Sequence, residues 1–190
     1  PEWFERAAKQ GATTATRMLG RAALTGIGLG RDAVRARGWY EAALAAGDDN
    51  AAGTLGEIWR NGDGVARDNA RAVELFRRGA RYGDPRAQAI LANVLREGTE
   101  ADAAEALRWF KAAAQQGERR GYAGGARLLE EGRGAPKDET LARALYQQAA
   151  EEGERDAMRR LAAMLREGRG GEADATQADA WLQRASQVRP

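Results

Sequence analysis

Leu55-Gly56-Glu57-Ile58-Trp59-Arg60-Asn61-Gly62-Asp63-Gly64-Val65, followed by Asp68, Ala72, Phe76 and Gly83, is the stretch that decides the fold. Leu55, Ile58 and Trp59 recur at helical spacing and stop at Gly62. Glycine takes left-handed φ/ψ at little cost, so it ends helices. Asp68 opens a second helix, because its carboxylate accepts the orphan N–H groups of a first turn. That helix closes at Gly83 after roughly 15 residues, ~20 Å. The unit reads as helix A (about Asn50 to Asn61), a turn, and helix B.

The unit recurs. The pairs Trp3-Phe4, Trp39-Tyr40, Leu75-Phe76, Trp109-Phe110, Leu145-Tyr146 and Trp181-Leu182 stand 36, 36, 34, 36 and 36 residues apart. Gly11, Gly47, Gly83, Gly117 and Gly153 form one glycine column, and Gly26, Gly62, Gly98, Gly132 and Gly168 a second. Asp32, Asp68, Asp102, Asp138 and Asp174 form an N-cap column. A lone unit buries too little apolar surface to fold, so neighbours must stack. The expected fold is all-α: a right-handed α/α solenoid of antiparallel helix pairs with a period of about 36 residues. A half repeat, 1–11, precedes repeats at about 12–47, 48–83, 84–117, 118–153 and 154–190, all in one domain. The aromatic pairs are expected in the core.

Composition narrows the function. The 190 residues hold no Cys and no His. Disulfides, thiolate metal sites and Ser-His-Asp or Cys-His catalysis are thereby excluded. The 30 basic and 28 acidic side chains nearly cancel, giving little drive toward nucleic acid. No apolar run approaches the ~20 residues of a membrane span. Arg outnumbers Lys 27 to 3, and Ala reaches 43, a bias that suits a GC-rich genome.

The quoted motif resembles the Sel1-like repeat, a relative of the tetratricopeptide repeat, over nearly the whole chain. The resemblance implies a non-catalytic scaffold or adaptor that binds a protein segment in a concave groove. It also implies bacterial roles in signalling, secretion and exopolysaccharide assembly, which favour periplasm or cell envelope over cytoplasm. Some members staple each repeat with a disulfide; this chain has no Cys and departs from them.

Three departures from regularity stand out. The third repeat lacks two residues between Gly98 and Asp102, in the A–B turn. The fourth carries Gly121, Gly124 and Gly125 inside helix A, which reads as drift in a tolerant repeat, as close approach of a partner or neighbouring helix, or as a hinge. The first and last helices lack a covering partner, which suggests a piece of a longer array or self-association through the ends.

Candidate chemistry is sparse. Gly26-Ile27-Gly28-Leu29-Gly30-Arg31 superficially resembles a phosphate loop but falls in the turn column. Glu130-Glu131 and Glu151-Glu152 sit near helix ends, where solvation argues against acid–base catalysis. No cofactor or metal site is expected. The exposed face of helix A remains. Aligning Leu19, Leu55, Leu91, Gly125 and Leu161 gives the groove candidates Arg17, Arg21, Glu57, Arg60, Asn61, Arg86, Asn93, Arg96, Arg127, Glu130, Arg159 and Arg166, with Gly53, Ala89, Arg120, Ala123 and Asp156 beside them. Arg60, Arg96 and Arg166 share one repeat position. Guanidinium groups there suit carboxylates of a peptide or of an anionic polysaccharide.

Overall fold

The computed structural model describes residues 2–28 and 30–188; Leu29 of the glycine-rich turn and the end residues Pro1, Arg189 and Pro190 lie outside them. Among the described residues there are eleven α-helices and no strand. Helix α1 (Glu2–Lys9) is the half repeat. The pairs α2 (Thr13–Thr25) and α3 (Ala33–Ala45), then α4 (Ala51–Asn61) and α5 (Asn69–Tyr82), are repeats one and two. They are followed by α6 (Pro85–Leu95) and α7 (Glu100–Gln115), α8 (Arg119–Glu131) and α9 (Glu139–Glu151), and α10 (Arg155–Glu167) and α11 (Ala175–Gln187). This is the helix-pair solenoid class read from the sequence. Among the described residues no helix is long and apolar enough to cross a membrane.

The chain forms two compact units, Pro1–Gln88 and Ala89–Pro190. In the first, each helix from α1 to α5 packs on the next. In the second, the same holds from α7 to α11. Nearest-neighbour packing of this kind builds a solenoid.

The core follows the columns with one correction. Tyr40, Phe76, Phe110 and Tyr146, the second members of the aromatic pairs, are buried, as are Leu19, Leu55, Leu91 and Leu161. The first members Trp39, Trp109, Leu145 and Trp181 are only half-buried, and Trp3 is 80% exposed. Adjacent residues on a helix point about 100° apart, so in the Trp39-Tyr40, Trp109-Phe110 and Leu145-Tyr146 pairs one member is central and the other lies at the rim; Leu75 is buried together with Phe76, and Phe4 and Leu182 of the end pairs are exposed.

The caps hold at four of five positions. Asp32, Asp68, Asp138 and Asp174 accept the backbone N–H of Arg35, Arg71, Leu141 and Gln177 at 2.8–2.9 Å. Asp102 departs from that role. The two-residue deletion starts α7 at Glu100, so Thr99 becomes the N-cap and Asp102 closes a capping box with it. Gly98 likewise is not left-handed, unlike Gly26, Gly62, Gly132 and Gly168.

The turns show a second device. Gly64, Gly134 and Gly170 have φ of 70°, 74° and 71°. Each lies against the first turn of the preceding helix B: a Cβ would come within 2.9 Å of Val34 N, 2.4 Å of Ala103 C and 2.2 Å of Glu139 O. These glycines seat one repeat on the one before it. The third repeat's deletion removes the residue.

Candidate binding recess in the second unit

The glycines of α8 reflect close approach, not drift. A Cβ on Gly121 would lie 2.6 Å from Ala114 N, and one on Gly124 2.3 Å from the Phe110 ring. Helix α7 and its aromatic therefore reach the α8 backbone. Gly125 is different, with Phe110 Cβ at 3.4 Å. Gly124 stands in the column of Met18, Thr54, Ile90 and Arg160, so a side chain is missing there.

Beside this gap the helix-A face of the second unit is hollowed into an open recess of about 520 Å³. Its rim carries Arg96, Arg120, Arg127, Arg159 and Arg160, and its wall Asn93, Tyr146 and Glu154. The recess thus gathers Asn93, Arg96, Arg127 and Arg159 from the predicted groove. It adds Arg160, Glu154 and Tyr146, which the groove columns missed. Arg160 was readable as a charged break in an otherwise apolar or small column. Glu154 belongs to an acidic column, Asp48, Asp84, Glu118 and Glu154, that follows the first glycine column.

The guanidinium groups are loosely held. Arg127 Nε lies 2.8 Å from Glu131 Oε1, and Arg159 Nη1 3.6 Å from Asp156 Oδ1. Arg96 Nε lies 3.0 Å from Glu97 Oε1, yet as a buried donor it has no aligned acceptor, so that contact is Coulombic. Among the described residues the side chain of Arg120 makes no ion pair. Solvated pairs of this kind are each worth under about 1 kcal/mol, so a ligand carboxylate can displace them.

Glu130 is a correction. Read as a solvated groove residue, its side chain is only 8% exposed. It sits beneath the recess, accepting from Tyr146 Oη at 2.9 Å and Arg169 Nη1 at 2.8 Å, with Arg160 Nη1 3.7 Å away. Burial alone would raise its pKa; the hydrogen bonds from Arg169 and Tyr146 and the nearby guanidinium charges outweigh burial and hold it below the ordinary value. Burial, then the Glu130 contact, pushes the Tyr146 hydroxyl up. Glu154 is shifted the other way. Burial raises its pKa, the Arg119 charge opposes that, and Asp156 adds to it.

The remaining candidates lie elsewhere. Arg17 is tied to Asp48 at 2.8 Å. Gly53 and Ala89 are buried and line no open face. Arg60 stacks 5.6 Å from the Phe76 ring centre and lies 3.9 Å from Glu57. Asn61 donates to Asp63, and Arg166 pairs with Asp179 on α11. Arg21 and Arg86 are exposed. Arg60 belongs to the first unit, and Arg96 and Arg166 to the second.

Stacked helix pairs, with left-handed glycines closing most of the helix-A segments, define a helical repeat solenoid. The Sel1 repeat model matches residues 2–11, 13–48, 55–84, 85–118, 122–154 and 155–187, and the chain belongs to that family. Sel1 repeats generally serve as protein–protein interaction scaffolds, and their fold is typically non-catalytic. A Sel1 repeat protein from Oxalobacter formigenes is 28% identical with a TM-score of 0.82, over 92% of this chain and 70% of that one. A protective antigen of uropathogenic Escherichia coli with an SLR fold is 29% identical with a TM-score of 0.87, over 98% of this chain and 40% of that one. A Klebsiella pneumoniae protein described as a putative sel1 repeat protein shares the fold at 20% identity and a TM-score of 0.57, over 97% and 90%. No curated protein sequence matches the chain.

Proposed function

We propose that this protein is a non-catalytic scaffold that holds a segment of another protein in the recess formed by α8, α10 and the end of α6. The observation that carries this reading is the gathering of five arginines, only weakly paired, around one hollow that also offers Asn93, Tyr146 and Glu154. Guanidinium forks suit side-chain carboxylates and a C-terminal carboxylate, while Asn and Tyr suit backbone amides. The mixture of arginines with Glu154 and Asp156 favours a polar peptide over a uniformly anionic polymer.

The test is binding of acidic fluorescent peptides to the intact protein and to Arg120→Glu/Arg159→Glu. Binding is expected to fall at least tenfold in the double variant, with helicity unchanged by circular dichroism. Equal binding to both proteins sinks the recess. Strong retardation on a polyuronate gel, with no peptide bound, would move the reading to an anionic polysaccharide and to an envelope role.

A further inference from the structure

The molecule repeats one relation three times with different outcomes. Arg17 and Asp48, Gly53 and Asp84, and Ala123 and Glu154 are each 31 residues apart, a helix-A position and the acid that opens the next repeat. In the first repeat the acid finds a cation: Arg17 Nε lies 2.8 Å from Asp48 Oδ2, and the Asp48 side chain is 6% exposed. In the second the arginine is replaced by glycine, and the carboxylate fills the vacated space, since a Cβ on Gly53 would meet Asp84 Oδ2 at 2.1 Å. Asp84 is satisfied there by the N–H groups of Arg86 and Ala87.

At Glu154 neither solution operates. Ala123 stands where Arg17 stood, so that position offers no cation, and Ala123 and Glu154 both line the recess. Glu154 is the N-cap residue of α10, yet its side chain makes no capping hydrogen bond. Its counterpart Glu118 does accept, from Arg120 N at 3.4 Å. The one neighbouring cation that acts on Glu154 is Arg119, whose Nη1 is directed to Glu152 O at 3.5 Å. The half-buried Glu154 carboxylate is left with water and the Arg119 charge, which is less favourable than a direct charge-assisted hydrogen bond. A donor carried by a ligand would supply that bond.

We propose that Glu154 is a cation-reading position within the recess, taking the guanidinium or ammonium group of the bound segment in the place that Arg17 fills for Asp48. The inference rests on the recess as a peptide site and refines it. The bound segment carries a basic residue beside the acidic ones that engage Arg120 and Arg159. Alternating signs fix the register and direction of the chain in the hollow, since a reversed or shifted peptide sets like charges together.

The test is selection from a displayed library of random ten-residue peptides, run on three proteins: intact, Glu154→Gln and the control Asp179→Asn. The control removes the same charge from a side chain that is 69% exposed and lies outside the recess. Peptides held by the intact protein and by Asp179→Asn are expected to carry Arg or Lys at a fixed spacing from Asp or Glu. Glu154→Gln is expected to lose the basic residue from its selected set while keeping the acidic ones. The best intact-protein peptide should bind Glu154→Gln about tenfold more weakly, the worth of one charge-assisted hydrogen bond. A second variant, Ala123→Arg, supplies the cation internally and should lose the same preference. Basic residues retained equally by Glu154→Gln overturn this inference while leaving the recess standing. Enrichment of no peptide by the intact protein overturns the recess and the inference together.

Discussion

At the residue scale, helix α8 contains its own controlled experiment. Three glycines of one helix face three different surroundings, and a helix-interior glycine costs about 1 kcal/mol relative to alanine. Gly125→Ala meets its nearest neighbour at 3.4 Å, an ordinary contact, so it should stabilise the protein by about 0.5–1 kcal/mol. Gly124→Ala would drive a methyl to 2.3 Å from the Phe110 ring, and Gly121→Ala to 2.6 Å from a backbone nitrogen. Those two should destabilise by about 1–3 kcal/mol, as overpacked sites do. Urea unfolding of the three variants checks the ordering; a destabilised Gly125→Ala or a stabilised Gly121→Ala would contradict the close approach of α7. The glycine columns were legible in the sequence because each ends a helix. The Gly121–Gly125 cluster was ambiguous, because what crowds Gly121 and Gly124 is the backbone and the Phe110 ring of another helix, which no local spacing reports. The burial of Glu130 was illegible for the same reason: its partners lie 16, 30 and 39 residues away at Tyr146, Arg160 and Arg169.

At the element scale, the A–B turns separate two ways of fixing a helix start. In the fourth repeat Gly134 holds φ at 74° and lies on the backbone of α7. In the third, the two-residue deletion removes that glycine, and α7 is instead fixed by the Thr99–Asp102 capping box. Gly134→Ala adds a left-handed penalty of about 1–2 kcal/mol to a clash with main chain, so about 2–4 kcal/mol is expected. Thr99→Ala removes only a cap, worth about 1 kcal/mol. Thermal unfolding of both variants distinguishes them, and equal losses would mean that the turn glycine does not seat one repeat on the next. The deletion itself was legible as a shortened interval. Its consequence, the handover of the cap from Asp102 to Thr99, was not, because it depends on where the helix re-forms after the gap.

At the scale of the whole molecule, stability is a sum over neighbouring repeats, so a buried charge in one repeat is felt in global unfolding. Glu130 and Glu154 pull that sum in opposite directions with pH. The Glu130 pKa is lowered from 4.5 in the folded state, so its contribution is present above that value and is lost as pH falls through the folded pKa. Glu130→Gln should therefore cost about 1–3 kcal/mol at pH 7, less than a sealed ion pair because Arg160 and Arg169 remain partly solvated. The deficit should close on acidification below the ordinary carboxylate range. The Glu154 pKa is raised from 4.5, so the folded state prefers it protonated and bears a penalty once it ionises. Glu154→Gln should raise Tm at pH 7, and its advantage should vanish as pH falls through the raised value toward 4.5. Melting curves of the intact chain and both variants between pH 3 and pH 8 give the comparison. Opposite signs at neutral pH, converging in acid, are the expected outcome. A loss of stability in Glu154→Gln would mean that its carboxylate already has a partner in the free protein, and the place assigned to a ligand cation would then be filled from within.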